Sequence, residues 1–224
     1  MSKGYKVKEI VLTRQGEGFY TGRRAVFLRF TACNLWSGKE EDRTTAVCWF
    51  CDTDFLGTNG RNGGQYSTPE ELAERCRDIW NGHSVLTDPL SEHPMDEEPF
   101  IVCTGGEPLL QLNSELLAAL KKNGFTVAVE TNGTRPIPAG IDWLCVSPKQ
   151  VEKLVARTGD ELKLVYPQQA VKPEAIESLK FTHYFLQPMD GANLEENRIE
   201  ALEYIAEHQQ WKLSEQFHKV WSIP

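Results

Sequence analysis

Three cysteines stand close together in the first quarter of the chain. Cys33 is followed by fourteen residues and then by Cys48-Trp49-Phe50-Cys51. Thiolates are soft ligands, and three on one loop can hold three corners of an iron–sulfur cube, leaving the fourth open. A closed structural zinc site would need a fourth ligand nearby, and the nearest histidine, His83, lies beyond a helical pattern. The spacing fits both sites equally. A second group, Thr104-Gly105-Gly106-Glu107-Pro108, directly follows the apolar run Phe100–Cys103. Paired glycines let backbone approach a ligand closely, and their carbonyls with Glu107 offer acceptors to an ammonium group. A tight strand-to-helix turn with an exposed glutamate would use the same residues.

Other unusual residues sit in comparable places. Arg29 interrupts the apolar run Ala25–Phe30, so its guanidinium needs an anion, either from a ligand or from an acidic residue of the chain. Gln15-Gly16-Glu17-Gly18 precedes that run and offers an amide and a carboxylate, or a polar turn. Glu130-Thr131-Asn132-Gly133, Ser147-Pro148-Lys149 and Gln187-Pro188-Met189-Asp190 each end an apolar segment.

The elements that must position these residues alternate. Strand patterns cover Lys6–Thr13, Ala25–Phe30, Phe100–Cys103, Phe125–Glu130, Ile141–Val146, Leu162–Tyr166 and Tyr184–Leu186. Helical patterns run from Pro69, capped by Thr68, to about Trp80, and from a cap at Asn113 or Ser114 through Leu116, Leu117 and Leu120, ending before Gly124. Two more cover about 173–180 and 194–209, the second with Leu194, Arg198, Ile199, Leu202 and Ile205 on one stripe. Residues 31–66 read as irregular loop and 81–98 as a polar insertion. Alternating strands and helices imply a mostly parallel sheet with right-handed crossovers. The strands are too few for an eight-fold barrel, so an incomplete βα barrel or a doubly wound sheet fits. In both, ligands sit at the carboxyl ends of the strands, where the unusual residues fall.

Composition narrows the function. The chain has 224 residues, 40% hydrophobic and 25% charged, which suits one globular domain with a substantial core. A net charge of −8 speaks against a nucleic-acid partner. No run approaches the roughly 18 apolar residues of a membrane span. No apolar signal core follows the Lys-rich start, so the expected location is cytoplasmic, where clustered cysteines serve metals rather than disulfides. Cys76, Cys103 and Cys145 lie in apolar settings and read as packing residues.

In its cysteine triad and GGEP turn the chain resembles the radical S-adenosylmethionine superfamily. The superfamily's common spacing is C-x3-C-x2-C, from which the fourteen-residue gap departs. Within the superfamily the chain resembles the 7-carboxy-7-deazaguanine synthase family, some members of which carry an expanded first gap. The likeness spans most of the chain and rests on the whole ordered set of motifs above, with Arg29 and Cys51-Asp52-Thr53. It implies one radical core domain over 1–224, with a cluster-binding loop at 31–56. It implies a [4Fe–4S] cluster on Cys33, Cys48 and Cys51, and S-adenosylmethionine as cofactor, chelating the open iron and yielding a 5′-deoxyadenosyl radical. The implied reaction contracts 6-carboxy-5,6,7,8-tetrahydropterin to 7-carboxy-7-deazaguanine, losing ammonia and regenerating the cofactor.

The resemblance also assigns residues. Thr53 is expected to bind Mg2+. Gln15, Gly16, Glu17, Arg29, Thr104 and Pro224, the last through a buried terminal carboxylate, are expected at the pterin substrate. Gly105, Gly106, Glu107, Glu130, Asn132, Ser147, Pro148, Lys149, Gln187, Pro188, Met189 and Asp190 are expected at S-adenosylmethionine. A flavodoxin-like or other electron donor and a homodimer complete the expectation. Two rival readings remain: a glycyl-radical activating enzyme acting on a protein, and a zinc-stabilised interaction module.

Overall fold

The computed structural model describes residues 4–82 and 98–224. Residues 83–97, most of the anticipated insertion 81–98 and including His83, lie outside the described residues. Among the described residues nine strands form one sheet: β1 (Tyr5–Arg14), β2 (Arg24–Phe30), β3 (Gly64–Tyr66), β4 (Phe100–Gly105), β5 (Thr126–Thr131), β6 (Trp143–Val146), β7 (Thr158–Tyr166), β8 (Lys180–Pro188) and β9 (Trp211–Leu213). The order is β3-β1-β2-β4-β5-β6-β7-β8-β9. β1 pairs antiparallel with β2 and β3, and every pairing from β2 through β9 is parallel. Among the described residues both edges stay open, so this is an incomplete, TIM-type βα barrel.

Four helices among the described residues accompany the sheet: α1 (Pro69–Asn81), α2 (Ser114–Lys122), α3 (Leu194–Glu207) and the short α4 (Phe217–Trp221). α1 begins where its residues dictate: the Thr68 hydroxyl accepts from Glu71 N, the Glu71 carboxylate accepts from Ser67 N, and Pro69 needs no donor in the first turn. It buries Leu72, Ala73, Cys76 and Trp80. The Asn113 side chain caps α2 by accepting from Leu116 N, and Gly124, at φ +81°, lets the chain leave it. α1 and α2 pack on the outward residues of the strands, among them Val26, Leu28, Ile101, Cys103, Val127 and Val129. The inward face carries a second, smaller cluster of Ala25, Phe100, Val102 and Ala128, with Tyr20, Phe27 and Trp143 packed against it. Among the described residues no helix is long and apolar enough to cross a membrane.

Three expectations change. The helix anticipated over 173–180 is only a 3-10 turn at Pro173–Ala175. Lys180 N already donates to Arg157 O, and β8 pairs with β7 along its whole length, leaving too few residues to nucleate a helix. α3 is present, but its buried face is not the anticipated stripe. Ile199 and Leu202 are exposed, while Ala201 is buried. Polar anchors set this rotation: Asn197 donates to Met189 O at 2.8 Å, and Arg198 pairs with Glu215 at 2.7 Å. The loop at 31–66 contains a 3-10 helix, Glu40–Thr45, and ends in β3. Like β9, β3 spans three residues, too short to show a two-residue period.

The rotation of α3 is testable against α1. Leu72→Ala, at a fully buried position, should cost about 2–5 kcal/mol in urea unfolding. Leu202→Ala should change stability by no more than about 0.5 kcal/mol, and a loss comparable to that of Leu72→Ala would overturn the assigned rotation.

Candidate active site

Strand alternation builds the site. Residues on β2, β4, β5, β7 and β8 with even–odd parity opposite to the helix-packed ones face the barrel interior. Arg29, Thr104, Glu130, Lys163 and Gln187 take these inward positions, and all five line a cavity of about 380 Å³. Loops at the carboxyl ends add Cys33, Cys48, Cys51 and Thr53, then Gly105, Gly106 and Asn132, then Ser147, Lys149, Pro188 and Asp190. Gln15, Gly16 and Glu17 enter from the connection between β1 and β2, and Pro224 follows α4 to the rim, where it lines the cavity but is exposed rather than buried as anticipated, its oxygen accepting from Thr13 Oγ1 at 2.8 Å.

The cysteine loop explains its own long gap. Val47 N donates to Leu35 O at 3.2 Å, closing 36–46 off as an excursion. Only Asn34, Leu35 and Val47 then separate Cys33 from Cys48, which restores the three-residue spacing in space. Arg43 braces the excursion. Its guanidinium donates to the carbonyls of Trp49 and Cys51 at 2.6 and 3.0 Å, grips Glu40, and stacks over Trp36 at 4.2 Å. The two glycines of the GGEP turn serve a close approach within the chain itself. A Cβ on Gly106 would lie 2.1 Å from Ala32 O, and one on Gly105, at φ +138°, 2.3 Å from Phe30 O. Glycine thus lets β4 end directly under the start of the cysteine loop.

The donor set fits an iron–sulfur cube. Three thiols face one cavity, and among the described residues no His, Cys, Asp or Glu trio converges on a single-ion site. A cube spreads its ligands more widely than one ion does. The hydrogen-bonded Cys48 side chain brings the Cys51 thiol down to about 6, against the opposing effect of burial, and Lys149 favours the thiolate further. Burial pushes Cys33 up. Thr53 fits a hard cation. The residue lines the cavity, and its hydroxyl has no hydrogen-bond partner among the described residues. Its acidic neighbours are engaged: Asp52 with Lys219 at 2.6 Å and Asp54 with Lys8 at 2.7 Å.

Charged groups in the wall come largely in pairs. Arg29 donates through Nε to Glu9 at 2.8 Å, so the internal ion pair is present, yet its terminal nitrogens bond no described residue. Lys149 donates to Ser147 Oγ at 2.6 Å and has no acidic partner among the described residues. Lys163, absent from the sequence reading, is 4% exposed, bonds the Glu17 carboxylate and lies 3.6 Å from Glu130. Burial disfavours its charge, but the surrounding carboxylates raise its pKa well above the usual lysine value. The signal was available: Lys163 breaks the apolar run Leu162–Tyr166 as Arg29 breaks Ala25–Phe30.

Three anticipated cofactor residues do not line the cavity: Glu107, Pro148 and Met189. Glu107 is fully buried beneath it, accepting from Leu109 N at 3.0 Å, Thr131 Oγ1 at 2.7 Å and Asn132 N at 2.9 Å. It is therefore not an exposed acceptor for an ammonium group but a tie between the ends of β4 and β5. Burial pushes its carboxyl above the usual range despite these three donors. Met189 is buried, and its N–H donates to Tyr166 O. Glu107→Ala should lower the unfolding free energy of the ligand-free chain by about 3 kcal/mol, since it orphans buried donors. Unchanged denaturant stability would contradict the structural tie.

The chain is similar to curated proteins along its whole length. It is 50% identical to the 7-carboxy-7-deazaguanine synthase of Caulobacter vibrioides and 51% identical to that of Bordetella pertussis, covering 98% of this chain and 99% of each relative. The crystal structure of QueE from Escherichia coli shares the fold, with a TM-score of 0.64 and 24% identity over 96% of this chain and 95% of that one. No family model matches. Full-length relatives at half identity nonetheless place the chain: it belongs to the 7-carboxy-7-deazaguanine synthase family.

Proposed function

We propose that the chain converts 6-carboxy-5,6,7,8-tetrahydropterin to 7-carboxy-7-deazaguanine, with loss of ammonia, as a radical S-adenosylmethionine enzyme acting as one core domain. The observation that carries this is the meeting of the three cysteines, Thr53 and Arg29 in one cavity, in a chain half identical to named synthases. A cavity of about 380 Å³ also suits small molecules better than a protein segment. When bound at Cys33, Cys48 and Cys51, the cluster with S-adenosylmethionine would supply the radical that takes hydrogen from the substrate.

The chain's own residues do the rest. The terminal nitrogens of Arg29 receive the substrate carboxylate, and the Thr53 hydroxyl offers Mg2+ one oxygen beside it. Gln15, Gly16, Glu17, Thr104 and Pro224 hold the bicyclic ring. Glu130 and Asn132, with Ser147 and Gln187, are placed for ribose hydroxyls and the adenine edge. Lys149 is placed for the cofactor's carboxylate. A flavodoxin-like donor, a homodimer and a cytoplasmic setting complete the reading.

The test is anaerobic reconstitution with iron and sulfide, followed by S-adenosylmethionine, reductant, Mg2+ and the carboxy-tetrahydropterin. Formation of the deazaguanine is expected. Cofactor cleavage that ignores the pterin, or a colourless zinc protein, would sink the proposal. Cys51→Ala should abolish cleavage. Arg29→Met should raise the pterin KM roughly tenfold to a hundredfold, the worth of a charge-assisted contact, and an unchanged KM would remove Arg29 from the substrate.

A further inference from the structure

Lys163 joins elements that are far apart in sequence. Its ammonium bonds Glu17, from the connection between β1 and β2, and approaches Glu130 on β5. Glu130 in turn accepts from Gln15 Nε2 at 2.9 Å, and Glu17 accepts from Gln216 Nε2 at 2.8 Å and from Gln187 Nε2 at 3.3 Å. The titratable groups around it are Glu17, Glu130, Cys145 on β6 and Glu161 on its own strand, and His218 of α4 faces Glu17. Lys163 is the cation common to these carboxylates. Without it, Glu17, Glu130 and Glu161 would face one another in the barrel interior, and a proton would have to replace the lost charge.

That exchange would alter what the cavity presents. A carboxylate only accepts hydrogen bonds, whereas a carboxylic acid also donates. The pyrimidine ring of a pterin shows an amino group and a ring N–H along one edge, so it calls for acceptors. We propose that Lys163 is a positioning residue for the reaction: as the cation shared by Glu17 and Glu130 it holds both carboxylates in place, so that Gln15 and Glu17 meet the substrate's N–H edge as a preset array of acceptors. The inference rests on the proposed pterin substrate and adds to it a residue that need not touch that substrate.

The sign of the pH effect follows from the surroundings. Burial pushes Glu17 up, but Lys163 and its hydrogen bonds hold it below the ordinary glutamate range. In the wild type Glu17 is therefore ionised throughout the neutral range, and its affinity for substrate should not change there. In Lys163→Met the chief lowering influence on Glu17 is gone while burial remains, so Glu17 ionises fully only as pH rises. The pterin KM of K163M should exceed the wild-type value about tenfold at pH 6 and approach it by pH 8.5, about one decade for each unit of displaced pKa. Lys163→Arg keeps the charge and should give a flat profile.

A carboxyl-carbon NMR titration of the full chain, with Glu17 assigned through Glu17→Gln, reads ionisation without turnover. In K163M the Glu17 midpoint should rise by at least about one pH unit. An unmoved midpoint overturns the charge-holding role, and a moved midpoint with a wild-type KM profile overturns its connection to substrate. A wild-type chain that never uses the pterin overturns the functional reading and the substrate half of this inference, while the titration still decides for or against the charge-holding half. Should K163M not fold, the charge-balanced pair Lys163→Met with Glu130→Gln is read in the same way.

Discussion

A parallel sheet that curls without closing leaves an interior that must be filled, and each strand sends alternate side chains into it. In this chain the filling changes character with depth. Toward the amino ends it is aromatic: Tyr20 packs on Phe100 and Trp143, with ring centroids 4.9 and 4.6 Å apart, and Arg23 stacks over Phe100. Phe19 stacks on Trp143 and His183 alongside. Toward the carboxyl ends it is ionic, and every charge that enters must bring a partner or find one. The apolar plug and the charged array are two solutions to one volume constraint, and the cavity is what remains above them.

This constraint also explains how an acidic chain accommodates anionic ligands. The formal charge is −8 overall, yet the cavity wall carries as many basic as acidic side chains. Most of these are paired, which limits the desolvation penalty and fixes their rotamers. Among the described residues the exceptions carry the binding potential: the terminal nitrogens of Arg29, and Lys149, whose one hydrogen bond is to the Ser147 hydroxyl. Positive charge is therefore available at two places rather than spread across the wall, and those places differ in reach from the cysteines. Lys149 lies close enough to stabilise the Cys51 thiolate, whereas Arg29 sits deeper, on β2.

Much of this was legible in the residues. The capping of α1 by Thr68 and of α2 by Asn113 is local chemistry, and local chemistry reads directly. Most strands declared themselves by apolar runs, and their polar ends marked the site. What escaped depended on contacts distant in sequence. The facing of α3 was set by Met189 O and Glu215 rather than by its own stripe. Glu107 looked like a ligand group because its three buried donors come from residues up to 25 positions away. Lys163 was hidden because its meaning lies in Glu17 and Glu130, on other elements. Pairing in a barrel interior is a property of topology, and no sequence window contains it.

The pinched base of the 36–46 excursion has a consequence for how this loop can vary. One backbone hydrogen bond, Val47 to Leu35, separates the spacing of the cysteines along the chain from their spacing in space. Loop-closure entropy grows only slowly with length, each doubling costing about 0.6 kcal/mol. The excursion can therefore lengthen or shorten at small thermodynamic cost, provided Arg43 keeps its bonds to the Trp49 and Cys51 carbonyls, while Cys33, Cys48 and Cys51 stay where they are. Interval counting is a poor guide to ligand geometry when a loop is closed at its neck. The same neck makes the part of the excursion away from Arg43 a natural insertion point, where new surface can be added beside a reactive centre.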